Sequence, residues 1–192
     1  RTAWLTEPYS DAPETRGSQL IDEGTLDNIV REAHEAGLQL AIHAIGDAAI
    51  DLVLHAYSKI RNVRQLRHRI EHASVVRPDQ AKKIKELGVS LAVQPHFVIT
   101  DWWVVRRVGE SRATWVYPFK TLHSLGIPLG LSTDSPVEPL NPWKTVYAAV
   151  TRGTHEGVEL VKHTPHEKLS LTEALYLYTQ GSAYVLREEN VL

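Results

Sequence analysis

Short strand-length runs alternate with longer amphipathic stretches along most of the chain. The short runs cover residues 38–44, 67–72, 89–93 and 127–131. Between them, apolar positions recur at the three- and four-residue spacing that lets a helix bury one face. Alternation of strands and helices with short connections predicts a parallel sheet, so the predicted fold class is α/β.

Capping residues place the starts of several helices. The candidate caps are Thr25, Asn141 before Pro142, and Ser170 with Glu173, the last pair matching a capping box. Residues 1–24 and 94–116 lack this periodicity. They are predicted to be long loops, the second with at most a short helix.

Polar residues that can act as ligands follow each predicted strand at the point where it ends. They are His43, Glu71-His72, the run Gln94-Pro95-His96, and Asp134. The carboxyl ends of parallel strands meet at one edge of the sheet, where α/β enzymes carry their catalytic residues. We therefore expect these side chains to lie close together.

Two histidines and one aspartate in this set suit a divalent metal ion such as Zn²⁺, Fe²⁺, Mn²⁺ or Ni²⁺. His43 and His72 are 29 positions apart, and Asp134 lies 62 positions after His72. Ligands so far apart converge only through the tertiary fold, so spacing alone indicates a metal site weakly. The chain has no Cys, which excludes thiolate ligands and disulfides.

Composition indicates which kinds of binding partner and which cell compartment to expect. A formal charge of −2 over 192 residues argues against a nucleic-acid or membrane-surface binder, so neither partner is expected. The absence of Cys is compatible with a reducing compartment, and we expect a cytoplasmic protein. Met is absent even at position 1, so the chain is expected to be a piece of something longer.

Four runs resemble the barrel-strand motifs of the amidohydrolase superfamily, namely LAIHAIGDAAID, RHRIEHAS, LAVQPHF and LGLSTDSPVEPLNPW. The most similar branch is the amidohydrolase-3 type, which includes N-substituted formamide deformylases. The resemblance implies a (β/α)8 TIM barrel, of which this chain holds about four βα units, strands five to eight. Residues 1–192 would form one partial barrel domain, with a loop over 1–24 and the units over 25–192. The upstream half-barrel and a C-terminal β-sandwich would be absent.

The same resemblance implies roles at the site. His43 and His72 match metal ligands, and Asp134 matches a residue that binds metal and takes a proton from the attacking water. One or two divalent ions, zinc above all, are expected in a complete site. The family's other ligands, a His-x-His pair and a bridging residue, have no counterpart here. The missing N-terminal half of the barrel, or a second copy of this chain, is therefore the expected protein partner.

The predicted function is hydrolysis of a non-peptide C–N bond in a small amide-type substrate, with metal-activated water attacking a carbonyl. This activity is assigned to the longer parent, and the isolated chain is expected to be inactive. The alternative is a non-catalytic scaffold or regulatory fragment that keeps the fold without a complete metal site.

Narrower roles are assigned to five further residues. Gln94, His96, Trp102 and Trp103 are candidate substrate contacts, and Asp47 is a candidate partner that orients His43. Plainer alternatives stay open for three of them: Gln94 satisfies a backbone group, His96 makes a loop hydrogen bond, and Asp47 caps a helix.

Other polar residues are interpreted as structural. Glu71 is expected to pair with Arg69 or Arg67, because its side chain should point away from that of His72. The remaining histidines are interpreted as surface or packing residues: His34, His55, His68, His123, His155, His163 and His166. The outer strands of a partial barrel would have open edges, so association with another chain is expected.

Overall fold

The computed structural model describes residues 1–191 and contains a four-stranded parallel sheet. The strands are β1 (Ala41–Ala44), β2 (Arg69–His72), β3 (Ser90–Val93) and β4 (Leu129–Leu131). They lie side by side in chain order, with Ala44 opposite His72 and Ala92 opposite Gly130. The predicted α/β class with a parallel sheet is confirmed.

The helices lie between and after the strands. They are α1 (Glu23–Glu35), α2 (Asp47–Lys59), α3 (Pro78–Leu87), α4 (Phe97–Thr100), α5 (Val104–Val108), α6 (Glu110–Ala113), α7 (Phe119–Ser124), α8 (Pro142–Thr151), α9 (Leu160–His163), α10 (Leu171–Tyr176) and α11 (Ser182–Leu186). A π-helical segment, Leu177–Gly181, joins α10 to α11, and 3₁₀ turns lie at Val63–Gln65 and Pro165–Glu167. In the part of the chain that the structure describes, no helix is long and apolar enough to cross a membrane.

The start of β1 is later than its apolar run suggests. The Leu38 amide donates to the Ala33 carbonyl in the turn that ends α1, at 2.9 Å. The Leu40 amide donates to His68 Nδ1 at 3.0 Å. Backbone groups that bond to a helix end or a side chain are not available to a strand ladder, so residues 38–40 lie outside the sheet.

The predicted helix caps are correct at two of three positions. Asn141 accepts from the Trp143 amide, and Ser170 forms the capping box with Glu173. The prediction for Thr25 is wrong, because Asp22 is the cap of α1 and accepts the Thr25 amide at 2.9 Å. A carboxylate three positions earlier satisfies this first-turn donor, and the helix starts two residues before Thr25.

The segment 94–116 is more helical than predicted. It contains α4, α5 and α6, joined by tight turns. Four valines, at 98, 104, 105 and 108, are buried in the core, at spacings that keep them on the inner side of these short helices. Packing of these apolar positions overrides the weak periodicity of the segment.

The helical run from α10 to α11 packs directly on β4. A Cβ atom at Gly130 would lie 2.7 Å from a Val185 methyl, and one at Gly181 would lie 2.4 Å from the Leu129 carbonyl oxygen. Both distances are too short for any side chain, so this contact requires glycine on both elements.

The carboxyl end of α11 is held by side chains that come from the start of the sheet. Gln39 Nε2 donates to the Val185 carbonyl at 2.8 Å, and Arg67 Nη1 donates to the Tyr184 carbonyl at 2.8 Å. Carbonyls in the last turn of a helix lack the usual helical donors, so these side chains help to satisfy them, and the Tyr184 carbonyl also accepts from the Arg187 amide. Arg67 also pairs with Glu189 just beyond α11.

The two outer strands of the sheet differ in exposure. Within residues 1–191, β1 pairs only with β2, and β4 pairs only with β3. All of β4 is buried, whereas Ala41 and His43 of β1 are exposed. An exposed strand with one neighbour has unpaired backbone groups on its other side. Association through this edge stays a prediction.

Candidate active site

A cavity of about 470 Å³ opens at the carboxyl ends of the strands. Most of its lining surface is apolar, although half of the lining residues are polar or charged, Arg1 and Arg107 among them. The apolar lining includes Leu5, Ile45, Val75, Phe97, Trp103, Val104, Val108, Val116 and Val137, and the polar lining includes His43, His72, Ser74, Asp101, Tyr117 and Asp134. The three predicted metal ligands therefore line one cavity, as the strand-end positions suggest.

His72 is held in a fixed orientation by Gln94. His72 Nδ1 lies 2.9 Å from Gln94 Oε1, and Gln94 Nε2 donates to Ser132 Oγ and to the Ala92 carbonyl. These two acceptors fix which end of the Gln94 amide faces the histidine. The amide oxygen can only accept, so His72 Nδ1 donates to it, and in the neutral ring Nε2 is the nitrogen that can bind a ligand.

His43 lies against His72, with ring centroids 4.5 Å apart and ring planes 74° apart. Burial lowers the pKa of His43, and the neighbouring His72 lowers it further, while Asp134 and Glu71 oppose the shift. His43 is thus neutral at neutral pH, which is the form that binds metal. The same electrostatic coupling shows that Asp134 lies near His43.

Asp134 and His72 both have left-handed backbones, with φ values of 58° and 74°. Non-glycine residues rarely adopt this region, and they persist there only where the surrounding fold holds them. Tyr117, which also lines the cavity, has a φ of 49°. Three lining residues share this conformation, which is typical of a functional site.

The donor chemistry of His43, His72 and Asp134 fits a divalent metal ion, since two neutral imidazoles and a carboxylate are standard ligands. The geometry is less complete. Among residues 1–191, no group of three or more His, Asp or Glu side chains is arranged so that it could hold a metal ion. The three residues line a common cavity without forming a closed set of ligands.

Gln94 bonds to other protein groups. The side chain is only 4% exposed, and its oxygen and nitrogen are both engaged within the protein. Gln94 orients His72, because the amide lies between the ends of β2 and β4. Its contact with a substrate stays a prediction.

His96 forms the loop hydrogen bond that was its plainer alternative. Its Nδ1 lies 2.5 Å from Glu138 Oε2, and Glu138 also accepts from the Thr100 hydroxyl. His96 lines a separate groove with Trp143 and does not line the main cavity. Glu138 fixes the position of the His96 ring, and the contact of His96 with a substrate stays a prediction.

The two neighbouring tryptophans have different positions. Trp103 lines the cavity, and the Arg107 guanidinium lies over its ring at 5.1 Å. Trp102 is 66% exposed and does not line the cavity. Consecutive residues in this turn point in different directions, and the substrate role of Trp102 stays a prediction.

Asp47 does not support His43. Its carboxylate accepts from the Thr6 amide at 3.0 Å and from Arg77 at 3.1 Å. It is the first residue of α2, and the cap is Gly46, so the alternative of a helix cap is also wrong. The Trp4 carbonyl lies only 2.0 Å from the position that a Cβ atom of Gly46 would occupy, so the N-terminal segment packs closely on this turn. This packing brings Thr6 within hydrogen-bonding distance of Asp47.

The expected ion pair of Glu71 is present. Arg69 Nε donates to Glu71 Oε1 at 2.5 Å. Both side chains are partly buried, and they lie on the face of β2 that carries neither Ile70 nor His72.

Sequence reasoning missed Asp101, Tyr117 and Glu138. The Tyr117 hydroxyl donates to Asp101 Oδ2 at 2.5 Å, and both residues line the cavity. Glu138 is 6% exposed. Asp101 lies between α4 and α5, in a segment predicted as loop, so no strand end marked it. Glu138, in the STDSPVEP run, was the one acid near Asp134 that a sequence signal could have found.

Residues 1–191 match the amidohydrolase family. The chain is 37% identical over 190 residues to the putative amidohydrolase YtcJ of Bacillus subtilis (strain 168), which covers 98% of this chain and 36% of that protein. It is 28% identical over 173 residues to the N-substituted formamide deformylase of Arthrobacter pascens, which covers 88% of this chain and 31% of that protein.

A solved structure is also similar, that of an uncharacterized metal-dependent hydrolase from Pyrococcus horikoshii OT3. The TM-score is 0.91 at 48% identity, covering 98% of this chain and 38% of that one. The chain therefore spans about a third to two-fifths of the length of these relatives.

Proposed function

The chain belongs to the amidohydrolase family, and from that premise we propose that it carries part of the active site of a metal-dependent hydrolase of non-peptide C–N bonds. The observation that carries the proposal is the single cavity lined by His43, His72 and Asp134. The printed names of the relatives, an amidohydrolase, a formamide deformylase and a metal-dependent hydrolase, support the reaction class.

His43, His72 and Asp134 would hold the metal ion, and zinc suits a set of two imidazoles and a carboxylate. When bound, such an ion supplies carbonyl polarisation and a water molecule of lowered pKa. Gln94 contributes by fixing the orientation of the His72 ring, which directs Nε2 away from Gln94. Asp134 takes a proton from the water and delivers it to the leaving amine, a transfer worth about 10²–10⁴ in rate.

The cavity walls account for the choice of substrate class. Apolar side chains such as Ile45, Phe97 and Val104 exclude water and accommodate an apolar substituent. Trp103 adds a flat apolar surface on the same wall. A small amide with an apolar group on nitrogen or carbon therefore suits the cavity.

We further propose that the four strands are strands five to eight of a (β/α)8 barrel. The support is the parallel order β1-β2-β3-β4, the exposed edge of β1, and the share of the relatives that the chain spans. The remaining ligands would come from the missing half of the barrel or from a second copy of the chain.

A second candidate is a non-catalytic scaffold that keeps the fold. It is favoured by one observation, that His43, His72 and Asp134 do not form a closed set of ligands within residues 1–191. Metal binding separates the two candidates, because a scaffold has no reason to retain a metal at this cavity.

The test is the metal content of the purified chain. The chain is incubated with Zn²⁺, desalted and analysed by elemental mass spectrometry. We expect about one ion per chain, lost in the variant His43→Ala/His72→Ala, because binding requires preformed imidazole donors. The control His155→Ala/His166→Ala removes two exposed histidines and should retain the ion.

Equal zinc content in the two double variants, or none in the wild type, would overturn the proposed metal site and favour the scaffold. Hydrolysis is then tested by amine release from N-hexylacetamide, with the zinc-loaded chain alone and mixed with the corresponding upstream half of a relative. Release only in the mixture would support the partial-barrel proposal.

A further inference from the structure

The cavity lining includes a carboxylate, that of Asp101, that is not one of the proposed metal ligands. Asp101 follows α4 and lines the cavity together with Tyr117. The Tyr117 hydroxyl donates to Asp101 Oδ2 at 2.5 Å, which leaves Oδ1 for another donor. Asp101 is half-buried, and no protein donor bonds its Oδ1, so this oxygen is available to a ligand that enters the cavity.

The surroundings of Asp101 do not neutralise its charge. Burial raises the pKa of Asp101, and Glu138, a like charge, raises it further, while the Tyr117 hydrogen bond opposes the shift. Phe97 and Val104 of the lining are apolar, and the two lining arginines, Arg1 and Arg107, pair with Asp11. The protein supplies one hydrogen-bond donor to the Asp101 carboxylate, the Tyr117 hydroxyl. A ligand with a donor group would supply a second.

Tyr117 is rigidly anchored, so the acceptor is held in place before a ligand arrives. Tyr117 is 4% exposed, and its carbonyl accepts from Arg152 Nη1 at 2.8 Å. Arg152 is itself 1% exposed and also donates to the Val116 carbonyl and to Thr164 Oγ1. A polar group fixed by buried neighbours is typical of a residue that selects a ligand.

We propose that Asp101 is a specificity-determining residue that accepts a hydrogen bond from the N–H of a secondary amide, and that Tyr117 is its positioning residue. The inference rests on the proposed function, because it states which amides the cavity takes. Tertiary amides and esters lack the donor and would bury Asp101 against an alkyl group, and sites built around a hydrogen bond reject analogues that lack it.

Ligand binding to the metal-free chain tests this inference. The probes are N-hexylacetamide, a secondary amide, and N-hexyl-N-methylacetamide, the matching tertiary amide, and the dissociation constants come from titration calorimetry. We expect the secondary amide to bind at least about tenfold more tightly, since a hydrogen bond to a charged group typically contributes that much or more.

Three variants test whether Asp101 causes the preference for the secondary amide. Asp101→Asn should abolish or reverse it, because Tyr117 then bonds the amide oxygen and an NH₂ group faces the ligand. Tyr117→Phe should reduce the preference to a few-fold, because Asp101 then loses the hydrogen bond that holds it in place. The control Glu110→Gln makes the same acid-to-amide change at an exposed position outside the cavity and should keep the full preference. Circular dichroism confirms that each variant is folded.

Equal binding of the two amides by the wild type, or no binding of either, would overturn the inference without any variant. A preference that survives Asp101→Asn would overturn it as well. The outcome is separate from that of the proposed function, because neither metal nor turnover is involved. A preference that depends on Asp101 in a chain that never hydrolyses an amide would keep the binding assignment and reject the reaction.

Discussion

A histidine pair lies near each end of the adjacent strands β1 and β2. One pair is enclosed by the protein, and the other faces the cavity. At the amino ends, His34 Nδ1 lies 2.8 Å from His68 Nε2, and His68 is fully buried. At the carboxyl ends, His43 and His72 contact each other edge to face and line the cavity. The first pair is enclosed in the fold, and the second faces open space.

The difference lies in how many ring nitrogens the fold satisfies. The Leu40 amide donates to His68 Nδ1, so that nitrogen is unprotonated and Nε2 must donate to His34. Tyr57 stacks on the His68 ring, with centroids 5.5 Å apart and planes 13° apart. His72, by contrast, has one nitrogen bound to Gln94. A histidine with both nitrogens engaged stabilises the fold, whereas one with a free nitrogen in a cavity is available for chemistry.

The largest expected effect is at the enclosed pair. His68→Ala removes two hydrogen bonds and leaves a void beside Tyr57, so the free energy of unfolding should fall by about 2–4 kcal/mol. His43→Ala at the open pair should change it by less than about 1 kcal/mol. Urea denaturation measures both. Similar losses in the two variants would remove the distinction between the pairs.

Acid should weaken the enclosed pair first. Burial, together with the neighbouring His34 and Arg187, lowers the pKa of His68 from 6.5 to about 4. Between about pH 6.5 and 4, His68 is therefore protonated in the unfolded chain but not in the folded chain. Stability is full above this window and falls as pH drops through it, by at most roughly 3 kcal/mol. Denaturation of wild type and His68→Gln at several pH values measures the difference, and parallel curves would refute the assignment.

Loss of the orienting partner should weaken the open pair as a ligand. Gln94→Leu leaves His72 free to rotate and to change tautomer, so zinc affinity should fall about 10–100-fold. Competition with a chromophoric chelator measures the affinity. Gln65→Leu, at an exposed glutamine outside the cavity, is the control and should leave it unchanged. Equal affinities in the two variants would show that Gln94 does not prepare His72.

The smallest effect is expected beside the enclosed pair, at Arg67. Its guanidinium binds Glu189 and lies 3.9 Å over the Tyr184 ring. Arg67→Leu should lower the free energy of unfolding by about 0.5–1 kcal/mol, with the ionic part lost at high salt. Thermal unfolding at low and high salt checks this. A loss as large as that of His68→Ala would mean that the surface pair dominates this end.

The fold was largely predictable from the sequence, because it depends on local patterns. Strand order follows from apolar runs separated by helices, and Asn141 and Ser170 cap helices through atoms two or three residues away. Thr25 failed because Asp22, an equally good cap, precedes it. The short helices in 94–116 were missed because their burial comes from contacts distant in sequence.

The site was predictable at the strand ends and not between them. His43, His72 and Asp134 share a cavity because parallel strands bring their carboxyl ends together. The partners that Asp47 and Gln94 have in the structure, Thr6 and Ser132, were not predicted because they lie 41 and 38 positions away. No periodicity in the sequence indicates such pairings.

The bond from Gln39 to the Val185 carbonyl joins residues 146 positions apart. A ribosome that adds about 5–20 residues per second needs roughly 7 to 30 seconds to make that stretch. During this interval the first strands have been synthesised, but α11, whose Val185 carbonyl bonds Gln39, has not. Folding of this sheet is therefore governed by the order of synthesis as well as by sequence, and its earliest residues are the last to find all of their partners.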